Sequence, residues 1–347
     1  MRLTRTLPVM DAKFHACRFH AALGVIALAL LGAGQAQAAS PASGMPRLVT
    51  DGKTNTAFRT GSSYYGQSTN WSGYQIGGTP TNSLLTPNAN HYVQATWILP
   101  TRVGKSAVVT SPTGYYGVAA WIGLGGSAMG RGLHSNMSRA HPLIQAGTHQ
   151  QVNKDGSVEA PYFWFQIVPE TAAFKIPIAI GPGQKAMAVI NWIPGNDSTG
   201  TAGVGVCNLT TAKCANLNIT GVAEPSNVTE WIVEAPTFKT NTGATSSALA
   251  AFSPAINFTN GCWAPTNGIL SPVGNSTLST VRDRNQFNMY PYTGTMVKSA
   301  SPACHAIDSG INLTRVDMIT KINRVDYYNA RPFSVNDTGF GVAYYSP

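Results

Sequence analysis

Three short runs follow one another between residues 118 and 168: VAAWIGL (118–124), PLIQAG (142–147) and YFWFQIV (162–168). They are rich in aromatic, β-branched and other apolar residues, and Gly, Pro and Asn are frequent between them. Residues of the first kind favour extended strands, whereas Gly and Pro favour turns. The three runs therefore predict consecutive β-strands.

The same pattern continues on both sides of this region. Further runs of this kind are YVQATWIL (92–99), KIPIAI (175–180), KAMAVINWI (185–193), TEWIVEA (229–235) and AFSPAINF (251–258), with a late group around residues 313–345. No long stretch keeps a helical periodicity. The spacing predicts an all-β chain with antiparallel sheets packed as a two-sheet β-sandwich.

Residues 1–39 have the features of a signal peptide for secretion. Basic residues come first, an apolar run from Ala21 to Leu31 follows, and Ala36-Gln37-Ala38 has the small residues of a cleavage site. The apolar run is too short to span a bilayer comfortably, so we expect cleavage and export without membrane association. Residues 40–66 are polar and turn-rich, which predicts a linker or propeptide, and residues 67–347 are predicted to form one monomeric domain.

The charge of the chain is low and thinly spread. The formal net charge is +9, yet only 11% of the residues are charged. Nucleic-acid-binding proteins carry Lys and Arg in clusters that follow the phosphates, and this sequence contains no such cluster. We therefore expect no nucleic-acid partner.

The cysteines predict two disulfides and no metal site. Cys17 lies in the predicted signal, which leaves Cys207, Cys214, Cys262 and Cys304, an even number in an exported chain. The first two flank the turn-like stretch NLTTAK between apolar runs, which predicts a bond across a hairpin and leaves Cys262 with Cys304. The spacings do not match a zinc site, so no metal or cofactor is expected.

Common hydrolase signatures do not explain the sequence. None of the five histidines beyond residue 39 lies in a triad motif, and no Gly-x-Ser-x-Gly elbow occurs, so we expect surface or loop histidines. The triplets Asp308-Ser309-Gly310 and Asp337-Thr338-Gly339 resemble those of pepsin-like enzymes. They are too close together to come from two lobes, and turns explain them better.

Seven segments, taken in order, resemble those of the glutamic endopeptidase (eqolisin, scytalidoglutamic peptidase-like) family. They cover roughly residues 70–260 and are NWSGY (70–74), VQATWILP (93–100), AAWIGLGG (119–126), LIQAG (143–147), FWFQIVPE (163–170), EWIVEAP (230–236) and AFSPAINFTN (251–260). The resemblance implies a concanavalin- or lectin-like sandwich that hydrolyses peptide bonds of polypeptides at acidic pH without a cofactor. It assigns the catalytic glutamine to Gln145 and the catalytic glutamate to Glu234.

The resemblance also suggests the surroundings of this pair. Trp71, Trp97, Trp121 and Trp164 fall at aromatic positions of the same motifs, and with Gln166 they are predicted to bind substrate.

The two residue types suit peptide hydrolysis. As a carboxylate, Glu234 would take a proton from water, and as an acid it would return one to the leaving amine. The amide of Gln145 could hold that water and donate a hydrogen bond to the oxyanion. Strand alternation places Glu230, Ile232 and Glu234 on one face, with Trp231 and Val233 on the other. We expect Gln145 and Glu234 to meet over one water in an open cleft.

Two positions differ from the family. Gly125 stands where the family usually has Asp, and Gln166 where it has Glu. These changes suggest an active peptidase with altered pH dependence or specificity. The alternative is a catalytically inactive, lectin-like module that binds carbohydrates or surfaces through its aromatic residues.

Overall fold

The computed structural model describes residues 47–49, 54–60, 63–76, 91–107, 109–126, 142–195, 199–225, 228–240, 243–264, 272–273, 281–282, 288–296, 305–306, 314–322, 325–336 and 339–345. These residues belong to one compact unit, Pro46–Pro347. The predicted signal peptide, the triplet Asp308-Ser309-Gly310 and Cys304 lie outside them. Among the described residues, no helix is long and apolar enough to cross a membrane.

The described residues form 26 strands and no helix. The first thirteen are β1 (Arg47–Val49), β2 (Thr54–Thr60), β3 (Ser63–Ser68), β4 (Trp71–Ile76), β5 (Tyr92–Ile98), β6 (Arg102–Gly104), β7 (Tyr116–Gly125), β8 (Leu143–Val152), β9 (Tyr162–Val168), β10 (Phe174–Ala179), β11 (Lys185–Pro194), β12 (Thr199–Asn208) and β13 (Lys213–Ala223). The others are β14 (Thr229–Glu234), β15 (Thr237–Thr240), β16 (Gly243–Ser246), β17 (Ala248–Leu249), β18 (Ala251–Ser253), β19 (Ile256–Ala264), β20 (Pro272–Val273), β21 (Val281–Arg282), β22 (Asn288–Met296), β23 (His305–Ala306), β24 (Thr314–Ile322), β25 (Val325–Asn336) and β26 (Gly339–Tyr344).

Two series of hydrogen-bonded strands account for most of the structure. The first runs in the order β10, β9, β8, β7, β14, β4 and β24, and continues through β25 and β26 to β19. The second runs in the order β19, β5, β11, β12, β13 and β22. These pairings are antiparallel, and parallel pairs form where β3 meets β24 and β17 meets β7.

Strand β19 belongs to both series. Its residues Ile256–Phe258 pair with β26, whereas Thr259 and then Cys262–Ala264 pair with β5. The register with β5 shifts between Thr259 and Cys262, a stretch that includes Asn260, whose φ is 51°. The prediction of an all-β, mostly antiparallel fold is confirmed. The prediction of two separate packed sheets is not, because β19 links the two series into a nearly closed sheet.

Alternation along the first series separates two faces. In β7, Val118, Ala120, Ile122 and Leu124 belong to the main hydrophobic core, as Trp231 and Val233 do in β14. Full burial of a side chain such as Val, Ile or Leu contributes roughly 1.5–3 kcal/mol. The need to bury these side chains on one face fixes the register of the strands. The intervening residues of both strands point to the opposite face, which we call the site face.

One predicted disulfide is present and the other is partly described. Cys207 and Cys214 face each other across β12 and β13 and are bonded. Cys262 is also disulfide-bonded, and Cys304, its predicted partner, lies outside the described residues.

The segment predicted to be a linker or propeptide contributes strands. β1 pairs with β15, and β3 pairs with β24. Its removal as a propeptide stays a prediction.

Candidate active site

A row of polar residues crosses the site face. Backbone register aligns Gln75 of β4, Glu230 of β14, Gly123 of β7, Gln145 of β8 and Gln166 of β9. All four side chains are buried. Three of them are glutamines, whose amides do not titrate and can both donate and accept hydrogen bonds. We call these five residues the polar row.

Three tryptophans pack beside the polar row. Trp71, Trp121 and Trp164 belong to one cluster of buried apolar side chains on the site face. The rings of Trp71 and Trp121 meet edge to face, with their centroids 5.1 Å apart. The indole nitrogens of Trp71 and Trp164 have no hydrogen-bond partner among the described residues. Buried donors of this kind usually find a partner, so a bound peptide could supply the carbonyl oxygens.

Glu234 and the polar row lie at opposite ends of the Trp121 indole. Its Oε2 accepts a hydrogen bond from Nε1 of Trp121 at 2.8 Å, and its Oε1 accepts one from Nδ2 of Asn70 at 3.2 Å. A carboxylate only accepts hydrogen bonds, so two N–H donors are complementary to the ionised form that a general base needs.

The structure brings Gln145 and Glu234 to one face but not into one row. Gln145 is aligned with Glu230 across Gly123, whereas Glu234 is aligned with His149 across Ala119. From strand spacings of about 4.8 Å and rises of about 3.4 Å per residue, the Cα of Gln145 is about 10 Å from that of Glu230 and about 17 Å from that of Glu234. Both predicted catalytic side chains are 0% exposed, so the open cleft expected from the sequence is not observed.

The Trp121 indole connects Glu234 with the polar row. One end of the ring donates to Glu234, and at the other end Cζ3 lies 2.9 Å from the place where a Cβ on Gly123 would be. The same hypothetical Cβ would be 3.4 Å from Oε2 of Glu230. Cδ1 of Leu143 also lies 2.9 Å from that position, so the side chains of Leu143, Trp121 and Glu230 fill the space over Gly123 and only a glycine fits there.

Glu230 is a site residue that the sequence motifs did not assign. Its Oε1 accepts a hydrogen bond from Nε2 of Gln75 at 2.5 Å, and its Oε2 has no partner among the described residues. Burial raises the pKa of Glu230 well above its ordinary value, and the hydrogen bond from Gln75 acts in the opposite direction. The signal that could have identified it is its position four residues before Glu234, on the same face of the strand.

The two departures from the family fit their surroundings. Gly125 has a φ of 92°, and a Cβ there would lie 2.1 Å from the carbonyl oxygen of Pro142. This backbone excludes an Asp at that position. Gln166 donates from Nε2 to the carbonyl oxygen of Thr171 at 2.9 Å, and its Oε1 accepts from Nε2 of Gln145 at 3.4 Å. An ionised Glu could not make the first of these hydrogen bonds.

His149 corrects an expectation from the sequence. It is fully buried in β8, where its Nδ1 lies 2.7 Å from Oη of Tyr162, so the prediction of surface or loop histidines is wrong here. Burial lowers the pKa of His149 to about 3, and the charge of Lys175 acts in the same direction. The imidazole is therefore neutral above that pH.

Trp97 does not join the other three predicted substrate-binding tryptophans. It lies in the main core and donates from Nε1 to Oγ1 of Thr148 at 2.9 Å. No group of three metal-ligating side chains occurs within the part of the chain that the structure describes.

Comparisons with known proteins give a family and similar solved structures. The family model of the peptidase A4 family matches residues 69–305. The crystal structure of scytalido-glutamic peptidase with a transition state analog inhibitor is similar at 17% identity, with a TM-score of 0.49, covering 80% of this chain and 98% of that one. Aspergilloglutamic peptidase from Aspergillus niger has 18% identity and a TM-score of 0.36, covering 66% of this chain and 99% of that one. A comparison with curated protein sequences found no match.

The matched region contains the polar row, the three tryptophans and Glu234. It spans well over half of the 347 residues. The chain therefore belongs to the peptidase A4 family of glutamic endopeptidases.

Proposed function

We propose that the chain is an exported acid endopeptidase that cleaves polypeptides with Glu234 as general base and acid and Gln145 as the amide that orients water and stabilises the oxyanion. The observation that carries this proposal is the position of Trp121, whose indole donates to Glu234 at one end and borders the polar row of Gln145 at the other. Substrate held over this ring lies between the two groups.

The hydrogen bonds of Glu234 support its role as the base. Asn70 and Trp121 each donate an N–H to the carboxylate, and these two hydrogen bonds hold it in one orientation. A base held by neutral donors keeps the capacity to accept a proton from water and then to return it to the amine.

The burial of Gln145 and Glu234 limits how a substrate can reach them. Because Gln145 and Glu234 are both 0% exposed, substrate binding requires residues that pack over the site face to move apart. The indole N–H groups of Trp71 and Trp164, which lack partners among the described residues, would then face the peptide backbone.

A carbohydrate-binding module is less well supported. Sugar stacking needs exposed aromatic faces, whereas Trp71, Trp121 and Trp164 are 4%, 0% and 0% exposed.

The test is hydrolysis of an unfolded protein from about pH 2 to pH 7 by the wild type and by Glu234→Gln and Gln145→Ala. We expect Glu234→Gln to abolish turnover and Gln145→Ala to lower kcat by about 10²–10³, the usual effect of removing an oxyanion donor.

Gln150→Ala is the matched control. This glutamine is also buried in β8, but it points to the other face and donates to the carbonyl oxygen of Pro100. Equal losses for the two Gln→Ala variants, or full activity of Glu234→Gln, would contradict the assignment. Glycan binding without proteolysis would favour the binding module.

A further inference from the structure

We propose that Lys154 and Lys175 are specificity-determining residues that favour substrates with an acidic side chain a few residues from the scissile bond. This inference rests on the proposed function and deepens it by naming the class of polypeptide that the site face prefers. The carboxylate of a substrate Asp or Glu would lie against one of the two ammonium groups.

Two tyrosines pack at the border of the tryptophan cluster. Tyr115 and Tyr162 are partly buried against it. Tyr162 is aligned with His149, and the same row continues to Glu234. Three strand spacings of about 4.8 Å place the Cα of Tyr162 about 14 Å from that of Glu234. Tyr115 lies just before β7, four residues before Ala119, so at a rise of about 3.4 Å per residue it is a similar distance from Glu234.

A lysine covers each of these tyrosine rings. Nζ of Lys175 lies 4.5 Å from the ring centroid of Tyr162, and Nζ of Lys154 lies 5.3 Å from that of Tyr115. The attraction between an ammonium group and an aromatic face holds both cations beside the tryptophan cluster. Both lysines are exposed, so a peptide can reach them from solvent. Burial, and after it the charge of Lys175, lowers the pKa of His149, so the field of this cation extends into the row of Glu234.

The two ammonium groups are available to a substrate. Neither lysine forms an ion pair with a carboxylate among the residues that the structure describes. Two acidic residues near Lys154 in the sequence have other partners, because Glu159 accepts a hydrogen bond from Gln151 at 3.0 Å and Asp155 accepts one from Ser157 at 2.7 Å. A cation that is held in place and has no carboxylate partner favours a bound peptide with a negative charge at that position.

The distance from Glu234 sets the position of the preferred residue. An extended peptide advances about 3.3 Å per residue, so about four residues span the 14 Å between Glu234 and either tyrosine. We therefore expect the preference for an acidic residue at about the third to fifth position from the scissile bond. Residues that flank the bond directly are too close to Glu234 to contact either lysine.

The experiment measures kcat/KM for pairs of peptides that differ only by Asp or Asn at one position, scanned over about five residues on each side of the scissile bond. Asn matches Asp in shape but carries no charge. The pairs are compared at about pH 2.5 and about pH 5.5, because the ordinary pKa of Asp is about 3.9 while lysines stay charged at both values. We expect equal rates at the lower pH and about two- to fivefold faster cleavage of the Asp peptide at the higher one, the usual effect of an exposed ion pair.

Variants assign the preference to the two lysines. Lys154→Met and Lys175→Met remove the charge and keep an apolar side chain, and each should lose part of the preference for Asp, whereas the double variant should lose all of it. Lys213→Met is the matched control, since Lys213 is also exposed but lies on β13 in the second series of strands. It should keep the wild-type preference. High salt should weaken the preference in the wild type, because it screens exposed charges.

The outcomes separate this inference from the proposed function. Hydrolysis without a preference for Asp, a preference confined to residues that flank the scissile bond, or one that a folded double variant retains would overturn the role of the lysines while the peptidase stands. If the wild type cleaves no peptide, the proposed function fails, and binding of the same pairs at about pH 5.5, measured by fluorescence anisotropy, decides the lysines. Tighter binding of the Asp peptide that the double variant loses supports them, and equal binding overturns them as well.

Discussion

Replacement of Trp121 by Phe tests the hydrogen bond that holds Glu234. The substitution keeps an aromatic ring in the tryptophan cluster but removes the Nε1–H that donates to Oε2 of Glu234 at 2.8 Å. Trp164→Phe is the matched control, because Trp164 is equally buried in the same cluster and its Nε1 has no partner among the described residues.

The two substitutions differ mainly in one hydrogen bond. Both remove the same atoms from sites that are 0% exposed, so their packing losses should be similar. A hydrogen bond to a charged group contributes about 1.5–3 kcal/mol, and Trp121→Phe loses it. Trp164→Phe removes a buried donor without a partner, which offsets part of its packing loss. We therefore expect Trp121→Phe to be the less stable variant by at least about 1.5–3 kcal/mol.

The measurement is urea unfolding followed by far-UV circular dichroism, with intact disulfides and at a pH where Glu234 is ionised. The difference in unfolding free energy between the variants reports the hydrogen bond. Equal stabilities, or a lower stability of Trp164→Phe, would refute the role assigned to the Trp121 indole.

Three further predictions concern stability. Because the pKa of Glu230 is raised in the folded state, its contribution to stability is present below its ordinary value of 4.5 and is lost as pH rises through the folded value. Urea unfolding should therefore show Glu230→Gln gaining stability relative to the wild type between pH 4 and pH 7, and a pH-independent difference would contradict the raised pKa. Asp317 is fully buried and forms ion pairs with Arg315 and Arg331, so Asp317→Asn should lower the unfolding free energy by about 1.5–3 kcal/mol. A loss smaller than half of this range would contradict a stabilising role of the ion pairs. Gly125→Ala should lower the thermal midpoint more than Gly104→Ala, because a Cβ at 125 meets the Pro142 carbonyl at 2.1 Å whereas nothing lies within 4 Å of one at 104.

The sequence was sufficient for many of the strands after residue 66 and for the two faces of β14, but not for the strands within residues 40–66. In β14 the alternation of EWIVEA correctly separated Glu230, Ile232 and Glu234 from the core residues Trp231 and Val233. This works because a strand has a side-chain period of two and one face must bury apolar groups, so a local pattern contains the orientation. The Cys207–Cys214 bond was also predictable from a local pattern, because a short hairpin brings the ends of its two strands close together.

Pairings between distant strands were not predictable in this way. Glu230 receives its hydrogen bond from Gln75, 155 residues earlier, and the two meet only because β14 and β4 share one register. The motif match predicted Glu234 as the catalytic glutamate but gave no sign that Glu230 shares one register with Gln145. Similarly, no local pattern in β19 indicates that it changes partners near Asn260 and links the two series of strands.

The polar row shows how a buried site can remain intact in acid. A row built from ionised carboxylates would lose its hydrogen-bond pattern when pH falls, since protonation turns acceptors into donors. In this chain Gln75, Gln145 and Gln166 hold the same hydrogen-bonding state at every pH, and Gly125 has no side chain. Glu230 is the single titratable member of the row, and its buried position keeps it neutral over the acid range. The absence of the family's Asp and Glu at 125 and 166 is consistent with one physical rule: side chains that do not change charge keep the hydrogen bonds of the polar row constant while the pH varies.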